Sequence, residues 1–433
     1  MPTPSLLIVP ARFKSGKLYS QLPTSGAGDF TVTRATNATR VNASGLIESV
    51  ASGIPRLDYF ASDGTVGCPA LLVEPSAQNT LSGSVSLDTG WTITADTIVT
   101  SGIISPSGST NATLFQATNT ASRVRQTATL ASGSTYTFSC FGKFGALSSG
   151  FSLNVFDENA ASYGSGVCQA FNLNEGTLGA SGTTGAGFTL QSVGMENYGS
   201  GWYRCRMTVL MGYTPTTPRV GFRVGTQISN GRPLSVPSGT VNAWGAQLET
   251  GSVATSYIPT TTAAVTRNAE PITVSGAVSG SIGQTQGAFY AEVDIRLLGT
   301  NRSLLSLTLN SNTTDFINFQ INTSNRFLAR IRNKSGSLVD VVASGVTTTA
   351  GIHKLACSYS SGDITFALDG VVIGTNTNAN TDFTAALNCV LLGSGPGAAT
   401  GGTQSAFLND RILDGALYTT RLSNAELAAL TSL

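Results

Sequence analysis

The clearest fold signal in the chain is the stretch Ile364-Thr365-Phe366-Ala367-Leu368-Asp369-Gly370-Val371-Val372-Ile373. Ile364, Phe366 and Leu368 alternate with smaller or polar residues, and this period of two is typical of a strand that buries one face. Asp369-Gly370 then separates two apolar runs, and glycine supplies the positive φ that a tight hairpin turn requires. The stretch therefore predicts a β-hairpin with one buried face.

The same alternation recurs along much of the chain. One face of each segment is apolar, and the other carries Ser, Thr or Asn. Such segments are Tyr136 to Cys140, Phe151 to Val155, Leu305 to Leu309 and Ile317 to Ile321. Glycine makes up 49 of the 433 residues, above its usual share of roughly 7%, and falls mainly between these segments. Many short strands joined by Gly-rich turns predict an all-β fold of sandwiches or jelly rolls.

The charge content is low and balanced. Lys and Arg number 24 against 23 Asp and Glu, so the net charge is +1 and charged residues are 11% of the chain, where roughly 25% is usual. This balance excludes a strongly basic nucleic-acid binder and a polybasic membrane anchor. Because 41% of the residues are hydrophobic, the low charge does not indicate disorder.

The sequence offers few groups for targeting or metal chemistry. No charged start precedes the short apolar run Leu6 to Val9, and no stretch approaches about 18 consecutive apolar residues, so we predict cytoplasmic synthesis without membrane insertion. No C-x-x-C pair occurs and His353 is the single histidine, so no metal site and no cofactor are predicted. A lone histidine on a strand favours a structural role. The six scattered cysteines are expected to be buried free thiols, since cytoplasmic synthesis disfavours disulfides: Cys68, Cys140, Cys168, Cys205, Cys357 and Cys389.

One helix is predicted, at the C-terminal end. Ser423-Asn424-Ala425-Glu426 has the capping-box spacing, and Leu427 and Leu430 follow three residues apart. Two loop-like stretches, Glu74 to Asn79 and Tyr257 to Thr262, divide the chain into residues 1–80, 81–262 and 263–433. A short phrase, Thr31-Val32-Thr33-Arg34, recurs as Ala264-Val265-Thr266-Arg267, which is weak support for a repeat.

An ordered series of motifs in the central part is distinctive. Gly90-Trp91-Thr92, Gly201-Trp202-Tyr203-Arg204, Ala243-Trp244-Gly245-Ala246-Gln247-Leu248-Glu249 and Ser256-Tyr257-Ile258-Pro259-Thr260 follow one another. The series resembles the carbohydrate-binding-module-like jelly rolls of tailed-bacteriophage virion proteins. The stretch Cys68 to Pro75 looks like part of the N-terminal segment that accompanies such modules.

The C-terminal part has a second resemblance. Ala288-Phe289-Tyr290-Ala291-Glu292-Val293, Gly351 to Cys357, Ile364 to Gly374 and Asp410 to Glu426 resemble strands and the closing helix of a concanavalin A-like, laminin-G-type lectin domain. Ile352 stands where Trp is common in that family, and no Asp/Asn set reproduces the calcium site of legume-type lectins. The expected fold is therefore an all-β, multidomain chain, with a jelly-roll sandwich followed by a concanavalin A-like sandwich.

These resemblances imply a non-enzymatic structural protein of a phage virion, displayed on the virion surface as a tail or head fibre or appendage. Residues 1–80 would attach it to other virion proteins, 81–262 would form the jelly roll and 263–433 the lectin-like domain. It would form a homo-oligomer, with a trimer favoured, and engage host-surface glycans; neither nucleic acid nor membrane is an expected partner. The alternatives are a head decoration or collar protein without a ligand, and a polysaccharide depolymerase.

Aromatic residues are the candidates for sugar contact. Trp91, Trp202 and Tyr203 are predicted to bind carbohydrate, because a flat ring offers the C–H face of a pyranose a large apolar contact. Trp91 and Trp202 could equally fill a sandwich core, and core packing is favoured for Trp244.

Catalytic residues are not predicted. Glu292-Val293-Asp294 places two carboxylates on one strand face, as in retaining glycosidases built on such sandwiches. The later acid/base carboxylate of those families is missing, since Arg296 and Leu297 follow. We therefore favour a solvent-facing polar edge, and hydrolysis depends on whether two carboxylates converge in a cleft.

Overall fold

The chain folds almost entirely into antiparallel β-strands, which form two packed β-sandwiches. In the computed structural model, residues 1–10, 17–147, 150–159, 162–296, 298–310, 313–343, 348–396 and 404–433 are described. The predicted multidomain all-β fold class is confirmed.

The N-terminal strands are short and scattered among loops. They are β1 (Leu6–Ile8), β2 (Thr31–Val32), β3 (Ala38–Val41), β4 (Ile47–Val50), β5 (Leu57–Phe60), β6 (Val66–Val73) and β7 (Ala77–Asn79). β3 and β4 form a hairpin.

The central strands form a sandwich of two six-stranded sheets. They are β8 (Thr92–Ile93), β9 (Thr97–Ile103), β10 (Ala112–Ala117), β11 (Val124–Thr127), β12 (Thr135–Phe144), β13 (Gly150–Asn159), β14 (Ser162–Asn172), β15 (Thr177–Thr184), β16 (Phe188–Asn197), β17 (Trp202–Met211), β18 (Pro218–Val224), β19 (Gln227–Ser229), β20 (Arg232–Leu234) and β21 (Thr240–Thr250). One sheet has the order β16-β17-β12-β21-β10-β9, the other β15-β14-β13-β18-β11-β8, and β19 pairs with β20.

The C-terminal strands complete the second sandwich. They are β22 (Val265–Arg267), β23 (Ile272–Ser275), β24 (Gln286–Ile295), β25 (Arg302–Thr308), β26 (Phe316–Ile321), β27 (Phe327–Arg332), β28 (Leu338–Val342), β29 (Gly351–Ser360), β30 (Asp363–Leu368), β31 (Val371–Asn376), β32 (Cys389–Leu392) and β33 (Asp410–Tyr418). A 3-10 helix spans Ala277–Ser281, and the α-helix α1 spans Asn424–Leu430.

Local sequence patterns explain the main elements. Phe138, Phe151 and Leu153 point into the core of the central sandwich, and Phe319 points into the core of the second, as the alternation predicts. The alternation also places the polar faces of these strands in solvent, and this part is wrong: Ser152 and Ser306 are 0% exposed, because other parts of the chain cover those faces. Asp369 and Gly370 have φ of 48° and 83°, the positive values that a two-residue hairpin turn requires, and they join β30 to β31. The hairpin prediction is confirmed.

The predicted C-terminal helix is also confirmed. Ser423 caps α1: its side chain accepts a hydrogen bond from the Glu426 amide, and the Glu426 side chain accepts one from the Ser423 amide. Buried Leu427 packs with Ala356 and Ala367 on the outer face of the sheet that contains β24. The helix therefore covers part of that face.

The second sandwich is built from both ends of the chain. Its eight-stranded sheet has the order β31-β30-β29-β24-β33-β6-β5, and β1 also pairs with β33. Its seven-stranded sheet has the order β2-β23-β32-β25-β26-β27-β28. We call this the composite sandwich. The predicted domain boundary at residue 80 follows the order of residues along the chain. The sheets of the composite sandwich instead combine strands from before residue 80 with strands from after residue 262.

The central sandwich is therefore an insertion. The chain enters it after β7 and leaves it before β22, and these two strands pair, with Asn79 opposite Val265 and Ala77 opposite Arg267. The two loop-like stretches noted in the sequence thus lie beside each other at one junction.

The cysteines divide into two groups. Cys140, Cys168, Cys205, Cys357 and Cys389 are buried, as predicted, whereas Cys68 is exposed. Burial raises the pKa of the Cys168 thiol to about 12, and a thiol with such a pKa is a poor nucleophile. The prediction of burial is wrong for Cys68, because the first residues of β6 lie at the surface before the strand enters the core.

Candidate binding groove at the junction

A cluster of buried charges holds the junction between the two sandwiches. Its members are Arg34, Arg56, Glu74, Arg267 and Glu270, all at most 3% exposed. A nitrogen of Arg56 lies 2.7 Å from a Glu74 oxygen, and a nitrogen of Arg267 lies 2.6 Å from the same oxygen. Glu270 pairs with both Arg34 and Arg56. The cluster joins residues before the inserted sandwich to residues after it, and removal of one partner would leave charges buried without compensation.

Backbone carbonyls and a serine complete the cluster. Arg34 donates to the Thr36 carbonyl at 2.8 Å and Arg267 to the Pro75 carbonyl at 2.5 Å. The amide and hydroxyl of Ser256 each donate to Glu74 at 2.6 Å. The cluster therefore joins the N-terminal strands, the junction and the last loop of the inserted sandwich. Arg34 and Arg267 are the arginines of the phrase that recurs in the sequence.

Because of this cluster, we expect the stability of the fold to decrease at low pH. Burial opposes ionisation of Glu74, but Arg267 and Arg56 outweigh it and lower the pKa of this carboxyl to about 2. A carboxyl whose pKa is lower in the folded chain than in the unfolded chain stabilises the fold at any pH above its unfolded pKa, which is 4.5 for Glu74. This stabilisation is lost as the pH falls from 4.5 toward the folded pKa of about 2.

Aromatic residues form a second contact between the sandwiches. Trp244 and Tyr257 lie 4.4 Å apart between ring centroids, and Phe60 lies 4.4 Å from Tyr198. Phe141 contacts Tyr198 and Trp244 at 4.9 and 5.4 Å. This cluster packs the outer face of β12 and β21 against β5 and the hairpin of β3 and β4. The outer face of that sheet is therefore covered, not solvated.

A small polar cavity adjoins the aromatic cluster. Its volume is about 80 Å³, and its lining includes Asp58, Arg204, Arg296 and Arg411. Ligand sites commonly measure about 300–1,000 Å³, so this cavity suits a few water molecules and not a sugar ring.

A larger groove lies at the junction and shares Thr39 and Tyr257 with this cavity. Its volume is about 370 Å³, which is within the range of small-molecule sites. The hairpin of β3 and β4 supplies one wall through Ser49, together with the residue before the hairpin, Asn37, and β22 supplies the other through Val265 and Thr266. The segment Tyr257–Pro259 and Arg267 also line it. We call this space the junction groove.

A second hollow lies beside the junction groove. It measures about 290 Å³ and is lined by Ser76, Ala77, Gln78, Thr80, Thr250 and Thr266. Thr266 lines both spaces, so the two hollows share β22 as their common border. The sequence does not identify these residues as a site, because short hydroxyl and amide side chains on short strands, strand ends and loops carry no motif.

The residues predicted to stack on sugars lie elsewhere. Trp91 is 8% exposed, and its indole nitrogen donates to the Gly83 carbonyl at 3.2 Å within the central core. Trp202 is 3% exposed in the aromatic junction cluster, and Tyr203 is half-buried against the central core. The packing role favoured for Trp244 agrees with its 2% exposure. Carbohydrate binding by Trp91, Trp202 and Tyr203 stays a prediction, and their burial does not favour it.

Two carboxylates meet on the outer face of the composite sandwich. Glu292 on β24 lies directly opposite Asp414 on β33 and opposite Lys354 on β29. The Tyr290 hydroxyl donates to Glu292 at 3.1 Å. Asp294 pairs instead with Arg296 at 3.1 Å and Arg411 at 3.3 Å. The two carboxylates noted in the sequence therefore have different partners, and Leu297 lies outside the described residues.

We expect Asp414 to make stability fall as the pH rises. Burial, with a contribution from Glu292, raises the pKa of this carboxyl from 3.8 to about 6. The folded chain then holds the proton more tightly than the unfolded chain, so the free energy of unfolding decreases between about pH 4 and pH 6. Asp414→Asn should remove this decline and gain about 1 kcal/mol at pH 7, after allowance for solvent screening.

Urea unfolding between pH 4 and 8 measures this effect. Asp382→Asn is the matched control, because the Asp382 side chain is 56% exposed and should change the profile little. An unchanged pH profile for Asp414→Asn would contradict the prediction.

His353 is held by two hydrogen bonds. One ring nitrogen lies 2.8 Å from an Asp369 oxygen and the other lies 3.0 Å from the Thr349 carbonyl. Burial lowers the pKa of His353, but Asp369 and Thr349 outweigh it and raise the pKa above 6.5. The histidine ties β29 to the hairpin turn, in agreement with a structural role.

The described residues contain neither a cluster of metal-ligand side chains nor a membrane-spanning helix. No group of three or more His, Cys, Asp or Glu side chains there is arranged to hold a metal ion. No helix in the same part of the chain combines the length and the apolar character needed to cross a membrane.

Comparisons with known proteins give weak likenesses. No protein-family model matches the chain, and no curated protein matches it. The CBM40 domain of the Ruminococcus gnavus IT-sialidase is similar at 20% identity and a TM-score of 0.32, over 36% of this chain and 88% of that domain. That domain has also been solved bound to α2,3-sialyllactose.

Two further structures show likenesses of the same extent. The leech intramolecular trans-sialidase is similar at 17% identity and a TM-score of 0.31, over 36% of this chain and 25% of that one. A heptameric SAP-like pentraxin from Limulus polyphemus is similar at 11% identity and a TM-score of 0.27, over 34% of this chain and 70% of that one. No family assignment follows from these values.

Proposed function

We propose that this chain is a non-enzymatic structural protein of a tailed-phage virion, displayed at the virion surface, which binds host-surface glycans. The observation that carries the glycan proposal is the junction groove, an open space of about 370 Å³ lined by hydroxyl, amide and small apolar groups. Such a lining suits a polar, uncharged ring that also presents C–H groups. The motif series in the central and C-terminal parts supports the virion assignment by resemblance.

The junction suits a display role. The buried charges and the aromatic cluster hold the two sandwiches in a fixed relation, so a ligand in the groove would contact parts that are already ordered. A homotrimer would present several grooves at once, and avidity would then compensate for weak single sites. Attachment to other virion proteins would use the exposed surface of residues 1–80, because the sheets of the composite sandwich take up β1, β2, β5 and β6.

A glycan array probed with the purified oligomer tests the proposal. We expect binding to a subset of glycans, retention on host cells and no release of reducing ends from polysaccharide. Absence of binding by an oligomeric preparation would contradict the adhesin role. Release of reducing ends would instead favour the depolymerase alternative and direct attention to Glu292 and Asp414.

The alternative is a head decoration or collar protein without a ligand. The burial of Trp91 and Trp202 favours it, because the aromatic residues that the sequence offers for sugar contact are used in packing. On this alternative, deletion of the protein would reduce particle stability and leave adsorption to host cells unchanged.

A further inference from the structure

We infer that the junction groove and the hollow beside it form one extended site for an uncharged oligosaccharide, which crosses β22 at Thr266. This inference rests on the proposed glycan-binding function and adds the place, the extent and the charge of the ligand. It follows from the lining residue that the two spaces share, the chemistry of their walls and the pairing of the one arginine in those walls.

The two spaces are adjacent, because one residue of β22 lines both of them. Thr266 is exposed and lines the junction groove as well as the second hollow. The volumes are about 370 and 290 Å³, each of the order of a small-molecule site. A linear ligand that lies over Thr266 would therefore place successive rings in the two spaces.

The walls offer what a neutral sugar requires. Hydroxyl and amide groups can donate and accept hydrogen bonds with sugar hydroxyls, and they are supplied by Asn37, Ser49, Gln78, Thr250 and Thr266. Val265 is 40% exposed and gives an apolar surface for the C–H groups of a ring. The balance is that of a site with a small number of polar groups beside apolar ones.

The charges of the walls disfavour an acidic sugar. Among the described residues that line the two spaces, Arg267 is the one charged residue. It is 1% exposed, and its guanidinium donates to Glu74 at 2.6 Å and to Ser256 at 2.9 Å. A carboxylate in the groove would lose water without gaining an accessible cation, and this desolvation is unfavourable. We therefore expect the site to discriminate against sialylated or sulfated glycans.

Parts of the walls are held in place before any ligand arrives. The Thr39 hydroxyl donates to the Tyr257 carbonyl at 2.5 Å, and the Asn268 amide donates to the Thr36 hydroxyl at 2.9 Å. The Gln78 side-chain amide donates to the Thr266 hydroxyl at 3.2 Å across the ribbon of β7 and β22. A preformed site reduces the entropy lost on binding.

The experiment fills the groove with a large side chain. Ser49→Trp places an indole in the wall of the junction groove, at an exposed position of β4. Ser192→Trp is the matched control, because Ser192 is an exposed strand residue of the central sandwich that lines neither space. Saturation-transfer NMR on the full chain uses neutral trisaccharides of glucose, galactose and N-acetylglucosamine, with 3′-sialyllactose as the acidic probe.

We expect the unmodified chain and Ser192→Trp to bind at least one neutral trisaccharide and to prefer it to sialyllactose. Ser49→Trp should weaken that binding at least tenfold with an unchanged thermal unfolding midpoint. Undiminished binding by Ser49→Trp, or preference for sialyllactose, would overturn the inference and leave the proposed function intact. Failure of the unmodified chain on both the trisaccharides and the glycan array would overturn the proposed function itself. If Ser49→Trp unfolds, Thr266→Arg replaces it in the same binding measurement, because Thr266 is exposed and lines both spaces. It should likewise weaken binding at least tenfold, and undiminished binding would overturn the inference.

Discussion

The fragment 263–433 is expected not to fold when it is produced without residues 1–80. Residues before position 80 contribute seven buried side chains to the core of the composite sandwich: Leu6, Ile8, Leu18, Phe30, Val32, Leu71 and Val73. At about 1.5–3 kcal/mol for each buried side chain, their loss amounts to roughly 10 kcal/mol or more. This matches or exceeds the 5–15 kcal/mol by which domains are usually stable. The loss of β1, β2, β5 and β6 also leaves sheet edges unpaired.

We expect the fragment 263–433 to lack fixed tertiary structure. Near-ultraviolet circular dichroism and the dispersion of amide-proton chemical shifts measure this. The fragment 80–262 should fold by itself, because its core lies within the two six-stranded sheets. A chain that joins residues 1–80 to 254–433 through a flexible linker should regain a cooperative transition, since β7 and β22 are paired. Cooperative unfolding of 263–433 alone would show that the N-terminal strands are dispensable.

Glu270→Gln is expected to destabilise the composite sandwich by about 3–5 kcal/mol, the usual cost of breaking a buried ion pair by removal of one partner. Glu270 is fully buried and pairs with Arg34 and Arg56. Its neutral isostere would leave Glu74 as the one carboxylate of the cluster facing three arginines. The change in shape is small, so the effect isolates the charge.

Urea unfolding at pH 7 measures the loss. Glu48→Gln is the control, because Glu48 pairs with Arg40 and both side chains are partly exposed, and an exposed pair contributes about 0–1 kcal/mol. Equal effects of the two substitutions would mean that the buried cluster is not a major source of stability. A large effect of Glu270→Gln alone would establish that the cluster holds the junction.

The buried ion cluster and the junction groove share residues. The ion cluster lies beneath the junction groove, because Arg267 belongs to the cluster and lines the groove. The backbone of Tyr257 accepts from Thr39, while its ring packs in the aromatic cluster. Substitutions in the cluster should therefore disturb the groove as well, which is why the binding test uses exposed residues.

Sequence by itself determined the local structure of this protein. Alternation of apolar and polar residues is a property of neighbouring positions, so it predicted the strands around Phe138, Phe151 and Phe319. Asp369-Gly370 and the Ser423 capping box were readable for the same reason, since their hydrogen bonds and φ values involve adjacent residues. The loop-like stretches before residues 80 and 262 likewise marked the two ends of the inserted sandwich.

Only the tertiary structure decided which strands share a sheet and which polar groups meet. Leu6 pairs with Leu417 and Thr31 with Thr273, and pairings between such distant residues leave no periodic trace in the sequence. Trp202 is buried because β3, β4 and β5 cover the outer face of its sheet. Alternation of residues alone would place that face in solvent. Arg34 and Arg267 appeared as a short recurring phrase, but their common ion cluster depends on the insertion that brings them together. The junction groove exists for the same reason: packing brings β3 and β4 together with β22 and the segment Tyr257–Pro259, which are far from them in the sequence.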